Sequence, residues 1–416
     1  MMNENSDTKQ ARYRLKGQSL LSAMALAMLT VGYTQTAEAG ATFKIDDTKW
    51  VSIGGGLRTS FQAMERGATP NQWSNDFNLD NIRLYINAQL HEYIKVEFNT
   101  DCQTCGNGGE VRVLDAIGKF EFNPYVNLWV GRMLVPAERR EMNGPFYSGV
   151  YDIFASGTPF EPSDYNLTIK NDGTSAGSFG RDDGATFWGA AFDKRLQYAF
   201  GFFRGLRGGA NAEDNILYAQ RVAYNFWDVE KNPGYYTSGT YYGKGGDILT
   251  VGVSNQYQRH GAGTAADPGD FRGTTVDVLM EKVLGNGGVV TLNGEYKNYG
   301  ISKGYSQASR DNTPVGVANF NMFEGDAYDV SGMYLFPQKV AIGQVQPYLR
   351  YVNVAPINSS NRNSYEAGVN YIIDSHNAKV SLMYNYGDLM TKGLNYTSTA
   401  TGLKSNSIRV GFQWQF

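Results

Sequence analysis

Apolar and polar residues alternate along most of the chain beyond its first fifty residues. The last nine residues, 408–416, show this most clearly: Ile, Val, Phe, Trp and Phe occupy the even positions, and Arg, Gly and Gln occupy the odd ones. Successive side chains of a strand point to opposite faces, so such a segment has one apolar and one polar face. The apolar face covers a core in a soluble sheet and contacts lipid in an outer-membrane barrel.

Sixteen segments of this kind can be placed along the chain. Most of them exceed the average strand of soluble proteins and have the length needed to cross a bilayer obliquely. They are 50–64, 76–90, 91–101, 111–122, 124–132, 183–192, 196–206, 214–227, 246–259, 271–284, 288–300, 324–337, 343–354, 362–373, 377–388 and 405–416. The pattern predicts an all-β fold, a transmembrane sixteen-stranded antiparallel β-barrel.

The connections between these segments alternate between short and long, as expected when periplasmic turns alternate with external loops. The longest connection, 133–182, is the third external loop, and we expect it to fold inward. One joint, 228–245, is long where a short turn is expected. Either it folds into the mouth of the pore or a strand has been missed there.

The N-terminus has the order of an export signal. Three basic residues between positions 12 and 16 precede an apolar stretch at 20–31, and Ala37-Glu38-Ala39 then supplies small residues for cleavage. We therefore expect residues 1–39 to be a signal peptide. Residues 40–416 would form one barrel domain in the outer membrane of a Gram-negative cell.

Composition is consistent with a barrel and excludes some other classes. The chain has 49 Gly, 28 Tyr and 22 Phe, which suits many strands and aromatic girdles but would also suit a secreted sandwich or propeller. A formal charge of −3 gives no reason to expect a nucleic-acid partner. The three histidines are scattered, and no catalytic motif is present, so we expect no enzyme, cofactor or metal.

The alternation places charged side chains of both signs in the lumen, in about equal numbers. The wall alone therefore predicts no strong charge selectivity, and each pair could simply neutralise across strands. The basic candidates for lining the pore are Arg58, Arg83, Lys95, Lys119 and Arg221.

The long third loop is the better candidate for a selective constriction. Near its start it carries Pro136-Ala137-Glu138-Arg139-Arg140-Glu141. Charges held at a narrow, poorly solvated constriction filter ions more strongly than charges on a wide wall. We expect Arg139 and Arg140 to favour anions, with Glu138 and Glu141 partly cancelling them. The alternative is that these four residues tie the loop to the barrel wall.

The chain has two cysteines, Cys102 and Cys105, separated by two residues. Gly106 follows the second, so the spacing does not match haem attachment. In an oxidising compartment we expect a local disulfide in an exposed loop. A redox-active pair is the alternative.

Four segments resemble the phosphate-selective porin O and P family: Asn-Ile-Arg-Leu-Tyr at 81–85, Phe-Asn-Pro-Tyr-Val-Asn-Leu-Trp-Val-Gly-Arg at 122–132, Arg-Val-Ala-Tyr at 221–224, and the closing aromatic strand. The resemblance implies a sixteen-stranded trimeric porin. Some members of that family conduct anions, drawing phosphate along a ladder of arginines toward constrictions lined by lysine and arginine. This chain has no lysine cluster beside Arg139 and Arg140.

The sequence thus predicts an outer-membrane porin for passive diffusion of small hydrophilic solutes and ions, with a weak preference for anions. Its expected partners are membrane lipid, lipopolysaccharide and two further copies of itself. One alternative is a channel specific for phosphate or another anion. The other is a surface adhesin or structural barrel that does not conduct.

Overall fold

The computed structural model describes residues 40–68, 72–102, 110–152, 180–230, 235–263, 265–302, 324–357, 361–389 and 403–416. These residues form one β-sheet and one short helix. The strands are β1 (Ala41–Lys44), β2 (Trp50–Ala68), β3 (Gln72–His91), β4 (Ile94–Cys102), β5 (Arg112–Glu121), β6 (Asn127–Leu134), β7 (Arg181–Ala191), β8 (Leu196–Phe203), β9 (Leu217–Asn225), β10 (Ile248–Gly263), β11 (Pro268–Val283), β12 (Val289–Ile301), β13 (Gly325–Leu335), β14 (Lys339–Val340), β15 (Gly343–Pro356), β16 (Arg362–Asp374), β17 (Ala378–Gly387) and β18 (Ser405–Gln415), and the helix is α1 (Arg139–Asn143).

The sheet closes on itself. Each long strand pairs antiparallel with the next long strand along the chain, and β18 pairs with β2 in the register that places Gln413 opposite Arg58. The short strands β1 and β14 lie beside β2 and β15. The remaining sixteen strands form the ring, which confirms the predicted barrel.

The two faces of the barrel differ as the alternation predicts. On β18, Ile408 and Trp414 are exposed on the outer face, while Arg409 and Gln413 are buried on the inner face. Large apolar side chains are likewise exposed on the outside of β3, β12 and β15. An apolar exterior around a polar interior is the arrangement that lipid outside and water inside would stabilise.

Six connections at one end of the barrel are short, as predicted, and we call this the turn end; the opposite end is the loop end. The joint between β9 and β10 is also at the turn end, and it enters the lumen instead of forming a further strand. No helix in the described part of the chain is long and apolar enough to span a membrane. Residues 1–39, the predicted signal peptide, lie outside the described residues.

Candidate functional site: the lumen and its two inserts

The chain between β6 and β7 folds into the barrel, as expected. We call residues 135–152 the luminal loop; residues 153–179 lie outside the described residues. The luminal loop contains α1, is mostly buried, and is held by strands well separated around the ring. Glu295 on β12 accepts a hydrogen bond from the backbone of Arg140 at 2.8 Å, and Lys379 on β17 donates one to the carbonyl of Ser148 at 2.7 Å.

Arg139 joins the luminal loop to a second segment inside the barrel. Its guanidinium donates two hydrogen bonds to the carboxylate of Glu230, at 2.8 and 2.6 Å, and one to the carbonyl of Ser238 at 3.0 Å. Its backbone N–H donates to Asp277 on β11 at 3.2 Å. Burial alone would lower the pKa of Arg139, but the carboxylate of Glu230 raises it above its ordinary value. Arg139 is only 2% exposed.

Arg140 is bound to the wall on the neighbouring strands. Its guanidinium lies 3.4 Å from the carboxylate of Glu295 and forms an ion pair with Asp329 on β13. Asp329 is shared with Arg350, whose guanidinium lies 2.7 Å away. This alternation of two arginines and two carboxylates leaves no buried charge without an opposite neighbour, which burial requires.

The two acidic residues beside these arginines are also enclosed. Glu138 forms an ion pair with Lys297 on β12 at 2.6 Å, and both side chains are almost completely buried. Glu141 is buried as well. All four predicted loop residues therefore lie together between the loop and the wall.

The joint between β9 and β10 forms the second insert. We call residues 228–247 the turn insert; residues 231–234 lie outside the described residues. Its two ends meet, because the backbone N–H of Asp228 donates to the carbonyl of Asp247 at 2.8 Å, and the N–H of Asp247 donates to the carboxylate of Asp228 at 2.9 Å. The insert thus extends from a closed hairpin base, which leaves the strands on either side undisturbed.

Buried polar groups hold the turn insert inside the barrel. Glu281 on β11 accepts hydrogen bonds from the hydroxyl of Thr240 at 2.7 Å and from the N–H of Tyr241 at 3.0 Å. The hydroxyl of Thr237 donates to the carbonyl of Arg139 at 2.7 Å. The insert therefore contacts both the wall and the luminal loop.

An aromatic cluster packs the same insert against β6 and β7. The ring of Trp129 lies 4.7 Å from Tyr235, 5.5 Å from Tyr236 and 5.3 Å from Trp188, measured between centroids. These separations are within the range of favourable aromatic pairs. Because Trp129 and Tyr235 are almost fully buried, the cluster is a packing element and not an exposed binding surface.

The luminal loop also bridges the β18–β2 seam, where the first and last long strands meet. A Cβ at Gly56 on β2 would come within 2.8 Å of the Phe146 ring, and one at Gly411 on β18 within 2.5 Å of the Tyr151 ring. The two glycines therefore make room for the two rings. Gln413 on β18 also donates to the carbonyl of Phe146 at 2.8 Å.

Two of the five predicted wall residues donate hydrogen bonds to the luminal loop. Arg221 on β9 donates to the carbonyl of Ala137 at 2.9 Å and pairs with Asp277. Arg58 on β2 donates to the carbonyl of Tyr151, with its guanidinium 4.0 Å from the centre of that ring. Both arginines are buried.

The other three predicted wall residues lie on β3, β4 and β5 and pair across strands. Arg83 lies 2.8 Å from Asp101 and Lys95 lies 2.8 Å from Glu121, while Lys119 pairs with Glu97. The side chains of Lys95 and Glu121 are 33% and 22% exposed. Arg83 is only 9% exposed and lies 4.9 Å from the ring centre of Phe146 in the luminal loop. The structure thus divides the predicted residues into a buried set that contacts the inserts and a partly solvated pair of lysines, Lys95 and Lys119, on β4 and β5.

This division favours the anchoring alternative for Arg139 and Arg140. A guanidinium that attracts permeating anions needs contact with the permeation path, and both of these are buried against two carboxylates each. The same pairing explains why the inward charges of both signs are so nearly balanced. They hold the two inserts in place.

Two further residues in the lumen were not among the predicted site residues. Glu230, the bidentate partner of Arg139, lies in the joint whose length broke the turn–loop alternation, and that irregularity was its only signal. Lys379 lies on the inward parity of β17, so the alternation could have identified it.

His376, in the turn between β16 and β17, makes the stability of the folded protein depend on pH. Its Nε2 lies 2.9 Å from the carbonyl of Thr240 and 3.1 Å from the hydroxyl of Ser238, and the rings of Tyr147 and Tyr242 flank it. Burial, reinforced by the positive charge of Lys379, lowers the pKa of His376 to about 3. The folded protein therefore resists the proton that an unfolded histidine accepts near pH 6.5.

We expect His376 to decrease the free energy of unfolding on acidification. The contribution of neutral His376 is complete above about pH 6.5 and is lost as the pH falls toward 3, with a slope of at most about 1.4 kcal/mol per pH unit. Denaturant unfolding between pH 7 and 4.5 measures this slope, and His376→Gln should flatten it. His91→Gln, at the exposed end of β3, is the control. An unchanged slope in His376→Gln would assign the pH dependence to other groups.

The structure describes one of the two cysteines of the predicted disulfide. Cys102 ends β4, is buried and is disulfide-bonded. Cys105 lies outside the described residues, so the Cys102–Cys105 pairing stays a prediction.

Comparison with known proteins supports the fold. No family model matches the sequence, and no curated protein matches it. Among solved structures, the anion-selective porin from Comamonas acidovorans superposes with a TM-score of 0.55 at 13% identity, over 88% of this chain and 100% of that one. The outer-membrane channel DcaP of Acinetobacter baumannii gives 0.51 at 12% identity, over 91% and 100% of the two chains.

A third neighbour is OmpF of Salmonella typhi in complex with daunomycin, with a TM-score of 0.51 at 14% identity, over 90% of this chain and 100% of that one. These neighbours are outer-membrane porins. At such low identity the likeness establishes the barrel fold and leaves solute and selectivity open. The resemblance to phosphate-selective porins is supported at the level of the porin fold, and the finer family assignment stays a hypothesis.

Proposed function

We propose that the protein is an outer-membrane channel through which small hydrophilic solutes and ions diffuse passively. The observation that supports it is the closed ring of sixteen long strands with an apolar outer face and a polar inner face. A barrel of this size is too wide for its own wall side chains to fill, so it encloses a water-accessible space that loops can narrow. The function carries no enzymatic step.

We propose that the barrel has one orientation in the membrane. The turn end faces the periplasm and the loop end faces the exterior, as in barrels with short periplasmic turns. Lipid and lipopolysaccharide surround the outer face, and residues 1–39 direct export. A homotrimer is the expected assembly.

The sequence predicts that Arg139 and Arg140 create a weak preference for anions, but their burial against carboxylates argues against that role. The partly solvated charges on β4 and β5 are Lys95 and Lys119 together with an equal number of carboxylate partners, Glu121 and Glu97. We therefore propose that any preference between small anions and cations is weak, and that phosphate is not singled out.

Conductance in a planar lipid bilayer tests the proposal. Purified protein should give discrete current steps in groups of three, and a salt gradient should give a reversal potential close to zero. A strongly anion-selective channel that phosphate blocks would instead favour the substrate-specific alternative. Absence of steps from correctly folded protein, judged by heat-modifiable mobility, would leave a surface adhesin or structural barrel.

A further inference from the structure

Four charged side chains on the inner face of β4 and β5 form what we call the mixed patch: Lys95, Glu97, Lys119 and Glu121. Lys95 and Lys119 are directly opposite in the strand register, and each has a carboxylate two residues away on its own strand. Lys95 pairs with Glu121 at 2.8 Å, and Lys119 pairs with Glu97. Two ammonium groups and two carboxylates thus share a small area with no net charge.

The mixed patch is more solvated than the charged region on β11, β12 and β13. On β11, β12 and β13, the inward charges Asp277, Glu281, Glu295, Lys297 and Asp329 are all buried beneath the inserts. In the mixed patch the side chains of Lys95 and Glu121 keep 33% and 22% exposure, and those of Lys119 and Glu97 keep 12% and 10%. The patch is therefore in contact with water in the lumen.

The neighbouring side chains hold the mixed patch in shape. The ammonium of Lys119 lies 4.1 Å above the Trp129 ring, and the indole N–H of Trp129 donates to Glu121 at 3.2 Å. Trp129 is itself fixed by the turn insert through Tyr235. Cation–π contact and a hydrogen bond to a buried indole limit the freedom of two otherwise flexible side chains.

The charge pattern suits one class of solute. The Lys95–Glu121 pair keeps partial exposure, and such pairs contribute little free energy, so a solute can replace it at small cost. A zwitterion can direct its carboxylate to the ammonium groups and its ammonium to the carboxylates, replacing each lost contact with an equivalent one. A simple anion gains from the lysines and loses against Glu97 and Glu121, because the patch is neutral overall.

We propose that the mixed patch is a transient binding site for small zwitterions, such as free amino acids and short peptides, on the permeation path. This inference rests on the proposed channel function and names the class of solute for which the channel is built. It explains why a wall with balanced charge keeps solvated ion pairs at this place. The site selects for separated charges within one solute and not for net charge.

Swelling of liposomes that contain the protein tests the inference with two isomeric solutes. Glycine is zwitterionic, and glycolamide has the same atoms and no charge. The ratio of glycine to glycolamide permeation should exceed one in the wild-type protein. In a variant with Lys95→Gln, Glu97→Gln, Lys119→Gln and Glu121→Gln, the ratio should fall by about two- to fivefold, the factor that corresponds to an exposed ion pair.

Two controls separate the possible failures. Arg259→Gln with Glu213→Gln removes an exposed ion pair that includes the outward-facing Arg259, and the permeation ratio should stay at the wild-type value. The exchanged pair Glu97→Lys with Lys119→Glu keeps one ammonium facing one carboxylate and should keep most of the preference. Equal ratios in wild type and the fourfold variant, with glycolamide still permeating, would overturn the zwitterion site alone. No permeation of either solute by folded wild-type protein would overturn the channel function itself.

Discussion

Replacing residues 229–246 by a two-residue Asn-Gly turn should raise the single-channel conductance at least about twofold, because current through a water-filled pore grows with its open cross-section. Asp228 and Asp247 already face each other at the hairpin base, so a tight turn can join β9 to β10 there without changing their register. Arg139 loses its partner Glu230 in this variant, but removal of the turn insert also exposes its guanidinium to water. Planar-bilayer recording measures the change.

The matched control shortens the exposed turn around Lys339–Val340, which lies at the same end of the barrel. Its conductance should equal that of the wild type. An unchanged conductance in the folded deletion variant would show that the turn insert does not limit the current, and the narrowest point would then be assigned to the luminal loop.

Removing one partner of the Arg139–Glu230 pair should destabilise the protein more than removing both. Arg139→Gln leaves the carboxylate of Glu230 buried and without its guanidinium, a change that costs about 3–5 kcal/mol in other buried pairs. Arg139→Gln combined with Glu230→Gln removes the isolated charge, and we expect it to recover most of the lost stability. Urea unfolding in detergent micelles measures the free energy of unfolding.

Arg132→Gln provides the control for this cycle. Arg132 is partly exposed and lies 3.8 Å from Asp183, which is itself more than half exposed, so the substitution should cost less than about 1 kcal/mol. If the double variant were as unstable as Arg139→Gln, the pair would matter through the shape of the arginine. The charge-balance interpretation of the lumen would then fail.

The barrel could be predicted because the alternation of apolar and polar residues is a local property, visible in each strand separately. Every segment placed from the sequence corresponds to a long strand, and residues such as Arg221 and Arg58 lie on the face that their parity assigns. Because the outer face must be apolar and the inner face polar, a strand of this length has few alternative orientations in the barrel. The closing pair of β18 with β2 follows from an even strand count and requires no further information.

The contents of the lumen were not predictable in the same way. Parity indicates that Lys297 on β12 can face inward, but not which group it contacts there. Arg139 lies in a loop, where strand parity does not apply. Glu230 is 91 positions from Arg139 and lies in a segment without periodicity, so no pattern connects the two. From the sequence, Arg139 and Arg140 could either form an ion-selective constriction or tie the loop to the barrel wall. The decision depended on long-range packing, which only the three-dimensional structure provides.

The position of Phe146 and Tyr151 across the β18–β2 seam has a consequence for how the ring forms. The seam joins residues more than 300 positions apart, and bringing such distant ends together is the slowest kind of contact for a folding chain. A loop that is already docked on β2 offers the arriving β18 a carbonyl at Phe146 and a ring surface beside Gly411. We therefore expect the contacts of the luminal loop with both strands to favour closure of the ring.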